Sequence, residues 1–169
     1  MAEQDEFRRI TDFYHHLTDG MRSAEYDAGW IKGVYPTEKL IRDSISENEL
    51  FIAVSDDGVV GAMILNHDHA DGYEDTRWKT DAKRNEVMVI HALGISQACQ
   101  RRGIAKQMVA YAIDLSRREG MKAVRLDVLG MNLPAQRLYS ALGFSYIGTM
   151  KLFYENTGST DFMLYEIVL

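Results

Sequence analysis

Apolar residues at Phe7, Ile10, Tyr14, Leu17 and Met21 recur at alternating intervals of three and four, the spacing that lays side chains along one face of an α-helix. A second helix carrying Leu40, Ile41 and Ile45 can be capped by Thr37. The period then changes. Leu50 to Val54 and Val59 to Leu65 are short apolar runs separated by Ser55-Asp56-Asp57-Gly58, and Asp-Gly accepts the positive φ that a hairpin turn requires. A long polar stretch runs from Asn66 to Asn85. Beyond it the pattern predicts strand 86–95, helix 103–118, strand 123–129, helix 132–142 and strands near 144–150 and 162–168. An antiparallel hairpin followed by β-α-β with a right-handed crossover predicts an α/β (α+β mixed) fold, in which a mixed sheet is flanked by helices.

Two strand-to-helix junctions carry the chemistry. In the first, the β-branched run Val87-Met88-Val89-Ile90 leads through Leu93-Gly94-Ile95 into a basic, glycine-containing turn. Ile104, Met108, Val109, Ala112, Ile113 and Leu115 then follow near helical spacing. A helix opening near Gly103 has first-turn amides without partners and the positive end of its dipole there, so an anion against Gln100 to Lys106 would satisfy both. The spacing fits neither a Walker loop nor a dinucleotide fingerprint. What stands is Gln100-x-x-Gly103-x-Ala105, with Arg101, Arg102 and Lys106 supplying positive charge. By itself this is either a phosphate site or an ordinary turn with solvated arginines.

In the second junction, Val124 to Leu129 reads as a strand, Asn132 as an N-cap, Pro134 as a first-turn residue and Gly143 as a helix stop. Asn132, Ala135 and Tyr139 then share one helix face.

Taken together, these segments resemble the GNAT superfamily of acyl-coenzyme A dependent N-acetyltransferases. Gln100-x-x-Gly103-x-Ala105 looks like that family's coenzyme A loop, in register with Leu93, Gly94 and Ile95. Asn132-x-x-Ala135-x-x-x-Tyr139 followed by Leu142-Gly143-Phe144 looks like its second signature. The match covers roughly residues 50–150, with Ala105 in place of the commoner glycine and Gln97 where proline is frequent. The resemblance implies a GNAT-like, mostly antiparallel sheet around a β-α-β core that binds coenzyme A at Leu93, Gly94, Ile95, Gln100, Arg101, Arg102, Gly103, Ile104, Ala105, Lys106, Asn132, Ala135 and Tyr139. It also implies direct acetyl transfer from acetyl-CoA to a primary amine in a ternary complex. The other reading of the same pocket is a non-catalytic acyl-CoA sensor.

Composition narrows the field. A chain of 169 residues that is 46% hydrophobic suits one domain spanning 1–169, able to bury about 70% of the surface of its unfolded chain. Its lone cysteine, Cys99, allows no intramolecular disulfide, and neither a signal peptide nor a membrane-spanning run is evident, so a cytoplasmic protein with no membrane partner is expected. A net charge of −6 and a pI near 5.3 argue against nucleic acid as a partner, because phosphate-backbone affinity comes from clustered Lys and Arg. Dimers are common in the resembled family, which extends the option of a homodimer to this chain.

Amide formation needs a base, since an amine of pKa about 10 is mostly protonated at neutral pH. Glu86 and His91 are the candidates, both on the predicted strand 86–95. Strict alternation puts them on opposite faces, but the resemblance implies a bulge before the coenzyme A loop, which leaves both open. Tyr139 is the expected general acid for the departing thiolate, a phenol of pKa about 10 facing a thiol of about 8.5. The resemblance has Asn132 bind the pantetheine arm and the backbone around Leu93 and Ile95 pair with it and donate to an oxyanion. Cys99 just ahead of a helix is a minor alternative as an acyl carrier. His67-Asp68-His69 lacks a third ligand cluster, so no metal is predicted.

Between Pro36 and Glu86 twelve acidic residues face six basic ones, which accounts for the whole charge imbalance of the chain. Trp30, Tyr35, Tyr73 and Trp78 interleave or flank this segment, a composition suited to a cationic small-molecule or peptide amine. The plainer reading is a solvated loop.

Overall fold

In a computed structural model, residues 1–21 and 28–169 are described. Helices α1 (Phe7–Met21) and α2 (Glu38–Ser46) precede the hairpin β1 (Leu50–Ser55) and β2 (Gly58–Asn66). Strand β3 (Val87–Ile95), helix α3 (Ile104–Arg118) and strand β4 (Ala123–Leu129) form the β-α-β unit. Helix α4 (Leu133–Ala141) and the hairpin β5 (Ser145–Tyr154) and β6 (Gly158–Val168) complete the chain. The six strands lie in the order β1-β2-β3-β4-β6-β5. Only β3 and β4 run parallel; the other four pairings are antiparallel.

Strand alternation divides the core into two layers. Met63, Leu65, Met88 and Ile90 pack with Met108, Val109, Ala112 and Ile113 of α3 on one face. Leu50, Ala62, Ile64 and Ala92 pack with Ile10, Tyr14 and Leu17 of α1 and Ile41 and Ile45 of α2 on the other. Each fully buried aliphatic side chain contributes roughly 1.5–3 kcal/mol relative to exposure, so the periodic stripes read in the sequence are what dock these helices. Thr37 Oγ1 accepts from the Leu40 amide and caps α2 as expected.

Three readings are revised. Glu86 does not belong to β3: it closes a single 3₁₀ turn, Arg84–Glu86, ahead of the strand. The last two strands are longer than their sequence pattern, because the β5–β6 hairpin pairs out to Tyr154 and Gly158. In the outer half Met150, Leu152 and Tyr154 alternate with exposed Lys151 and Phe153, but Phe153 is an aromatic residue that is 75% exposed, so the apolar run Leu152-Phe153-Tyr154 masks the alternation in the sequence. The segment after β2 is solvated in part only: Asp71, Glu74, Asp75 and Asp81 are exposed, while Tyr73 is buried and the contacts described next tie the segment to the sheet.

Candidate active site

Parting of β3 from β4 creates the site. The two strands pair only from Val87/Ala123 to Val89/Arg125. At Ala92, where φ is +49°, β3 bulges: Ile64 pairs with His91 and Ala62 with Gly94, so Met63 alone opposes Ala92 and Leu93. The Tyr14 hydroxyl of α1 donates to the Ala92 carbonyl across 2.8 Å, which gives the displaced carbonyl a partner. Gly94 keeps α1 close, since a Cβ there would sit 2.4 Å from Leu17 Cδ2 and 3.3 Å from Trp30 Cζ3. A cavity of about 340 Å³ opens where the strands separate, walled by Leu93 and His91 of β3, Asp127 of β4, Asn132, Ala135 and Tyr139 around α4, and Trp30 and Tyr35.

At the end of β3 the chain makes a 3₁₀ turn, Gln97–Cys99, and enters α3 through Arg101 and Gly103, at φ of +61° and +81°. No side chain caps α3, and a Cβ on Gly103 would meet nothing within 4 Å, so its left-handed backbone rather than crowding is what calls for glycine. The side chains of Arg101, Arg102 and Lys106 have no carboxylate within 4 Å among the described residues. Gln100 Nε2 lies 3.5 Å from the Ile95 carbonyl. This turn presents uncompensated amide and side-chain positive charge. Cys99 is half-buried in it and does not line the cavity.

Asn132 caps α4, its Oδ1 accepting from the Ala135 amide at 3.2 Å, which leaves the Nδ2 hydrogens of this cavity-lining side chain uncommitted by that bond. Tyr139 is buried against Phe144 and Tyr165. Burial, reinforced by the charge of Asp127, pushes its phenol well above the ordinary tyrosine value.

The two base candidates are far apart in environment. His91 lines the cavity with Nε2 3.0 Å from the Asp68 carbonyl. A carbonyl only accepts, so Nε2 carries the proton and Nδ1 keeps the lone pair when the ring is neutral. Burial holds its pKa below the usual 6.5, opposed by the charge of Asp127. Glu86 does not line the cavity. It accepts from Lys122 Nζ at 2.9 Å and from the Lys83 amide at 2.8 Å, and the Lys83 bond first, then Lys122, lowers its pKa.

Asp127 is the residue that reading the sequence passed over. It lines the cavity, accepts from the Tyr73 hydroxyl at 2.8 Å and from the Tyr154 hydroxyl, and is held above the ordinary carboxylate range by burial. Its signal was a carboxylate set between Leu126 and Val128, which with Arg125 is one of two charges in a strand whose other five residues are apolar.

Of the four aromatic candidates, Trp30 and Tyr35 face the cavity and Tyr73 and Trp78 do not. Tyr73 braces Asp127, and Trp78 donates Nε1 to the Tyr73 carbonyl while Arg125 lies over its ring at 4.3 Å. Arg125 also pairs with the fully buried Glu166 at 2.9 Å, and Glu166 accepts the Lys79 and Thr80 amides. Among the described residues no group of His, Cys, Asp and Glu is arranged to hold a metal ion, and no helix is long and apolar enough to cross a membrane.

Comparison with known proteins places this geometry. Residues 10–144 match the acetyltransferase (GNAT) family. A streptothricin acetyltransferase from Streptomyces lavendulae is 27% identical over 75 residues, which span 44% of this chain and 40% of that protein. A GNAT-family acetyltransferase from Streptococcus agalactiae superposes with a TM-score of 0.76 at 19% identity, over 100% of this chain and 93% of its own. An acetyltransferase from Salmonella typhimurium, solved with its cofactor acetyl-CoA, gives a TM-score of 0.69 at 15% identity, over 99% and 91%.

Proposed function

This chain belongs to the acetyltransferase (GNAT) family of acyltransferase enzymes, and from that premise we propose that it transfers an acetyl group directly from acetyl-CoA to a primary amine, with both substrates bound at once in the cavity between β3 and β4. One observation carries the reading: beyond Val89 the strands part, β3 bulging at Ala92, into a cavity lined by Tyr139, and the same strand runs on into the uncapped start of α3.

The residues present fit the cosubstrate. A diphosphate suits the first-turn amides of α3 together with Arg101, Arg102 and Lys106, because a helix N-terminus without a side-chain cap and with unpaired cations favours an anion. Leu93 and Ile95 lie on a strand that has left β4 and would pair with the amide groups of the pantetheine arm as an added strand, flanked by Asn132 and Ala135. Acetyl-CoA, when bound, supplies a thioester carbonyl that amines attack.

His91 is the proton acceptor of this reading. Its imidazole is neutral at pH 7, and once protonated it faces the Asp127 charge, which favours the imidazolium. Tyr139 holds its proton across the working pH range. Transfer from a phenol of pKa 10 or more to a thiolate whose acid has pKa about 8.5 is uphill by at least about 2 kcal/mol, so Tyr139 acts first as a hydrogen-bond donor to the departing sulfur. Glu86, bound to Lys122 outside the cavity, has no part in the reading.

Calorimetric titration with acetyl-CoA, followed by thiol release on a panel of primary amines, tests it. Binding with amine-dependent thiol release supports the reading, and indifference to coenzyme A at millimolar concentration overturns it.

A further inference from the structure

The cavity wall is lopsided in charge. Its lining holds two carboxylates, Asp68 and Asp127, together with His69 and His91, and no lysine or arginine among the described residues. Arg84, which grips Asp68 and donates Nε to the His67 carbonyl, does not line it. Two phenol hydroxyls fix the orientation of Asp127. An ionised carboxylate accepts about four hydrogen bonds, so directions remain for an ammonium. The rings of Trp30, Tyr35, Tyr139, Tyr154 and Phe162 line the same space, and ring faces attract an ammonium that has shed its water.

An acceptor carrying a carboxylate beside its amino group would bring that carboxylate against Asp127 with no lysine or arginine among the described lining residues to pair with, whereas Asp68 is exposed and already paired with Arg84. Like charges in a desolvated cavity repel strongly, and a buried ion without a partner is costly. Resting on the acetyl-transfer reading, we propose that the acceptor is a cationic amine with no carboxylate next to the amino group, held by Asp127 within this aromatic cage, and that free α-amino acids are rejected.

The experiment compares matched pairs that differ only in the carboxylate beside a single amino group, tyramine against tyrosine and phenethylamine against phenylalanine, at saturating acetyl-CoA. The decarboxylated member of each pair is expected to have a kcat/KM at least about tenfold higher, as for a site that leaves a buried charge unpaired. Parity, or preference for the amino acid in either pair, overturns the proposal. In folded Asp127→Asn the ratio is expected to fall to within about threefold through a higher KM for the amine, since shape is kept and charge removed. An unchanged ratio overturns the role of Asp127. Should none of the four turn over, calorimetric titration of the same pairs into protein saturated with coenzyme A reads the preference. Tighter binding of the amine supports it, and parity, reversal or no binding by any member overturns it. Failure to bind coenzyme A overturns the acetyl-transfer reading itself, whereas a reversed ratio with coenzyme A bound overturns only the acceptor preference.

Discussion

The Tyr73 hydroxyl donates to Asp127 Oδ2 across 2.8 Å, joining the segment after β2 to a carboxylate in β4 that is 54 residues away in the chain. Removing that donor in Tyr73→Phe keeps the ring and leaves Asp127 with Tyr154 as its remaining hydroxyl partner. A hydrogen bond to a charged group is worth about 1.5–3 kcal/mol, so a lower unfolding midpoint in urea is expected. The KM for the amine should rise several-fold while the affinity for acetyl-CoA holds, measured by steady-state kinetics and calorimetry. A variant as stable as the parent would show that the bond contributes nothing.

Asp127→Asn should be more stable and less active. Burial raises the folded-state pKa of Asp127 above the unfolded 3.8, so its favourable contribution is present below that value and is lost as pH rises through the folded pKa. At neutral pH the ionised side chain therefore costs stability, which the isosteric amide does not. A gain of about 1 kcal/mol corresponds to roughly 2–4 °C in Tm for a chain of this size. The gap should narrow as pH falls toward 4, and scanning calorimetry at several pH values checks both the sign and the trend.

Tyr139→Phe should lower kcat by about 10²- to 10³-fold, the range for loss of one hydrogen-bond donor to a developing anion, with coenzyme A binding nearly intact. The ring packs on Phe144 and Tyr165 and is retained in the variant, so the thermal midpoint should hold. Thiol release under saturating substrates measures the rate, and unchanged turnover would remove the phenol from the chemistry.

His91→Gln and Glu86→Gln separate the two base candidates. The first should cost about 10²- to 10⁴-fold in kcat/KM and abolish an inflection that the parent shows below pH 6.5. The second should leave turnover unchanged, because the carboxylate it alters is bound to Lys122 outside the cavity. The folded-state pKa of His91 lies below the unfolded 6.5, so its contribution to stability is present above 6.5 and lost as pH falls through the folded value. Acid should therefore weaken the parent more than His91→Gln, which pH-dependent thermal unfolding would reveal.

Periodicity and capping chemistry are local properties, and they were legible: the stripe from Phe7 to Met21, the Thr37 and Asn132 caps, the Asp-Gly turn and the two strand-to-helix junctions stand where the chain's pattern put them. The spacing of Gln100, Gly103 and Ala105 with that of Asn132, Ala135 and Tyr139 was enough to identify the family, because each motif lies within one turn or helix. What required the tertiary structure was everything that depends on which distant segments meet. Asp127 gains meaning only when Tyr73 and Tyr154 arrive from other parts of the chain. Tyr73 and Trp78 read as substrate contacts until the ion pair of Arg125 with Glu166 is seen to draw their segment down onto the sheet. Glu86 and His91 looked equivalent on one predicted strand, and a single 3₁₀ turn, a bulge at Ala92 and the nearness of Lys122 separated them. Local backbone preference acts over a few residues. The environment of a titratable side chain is set by whatever the folded chain packs against it, and no short window of sequence contains that.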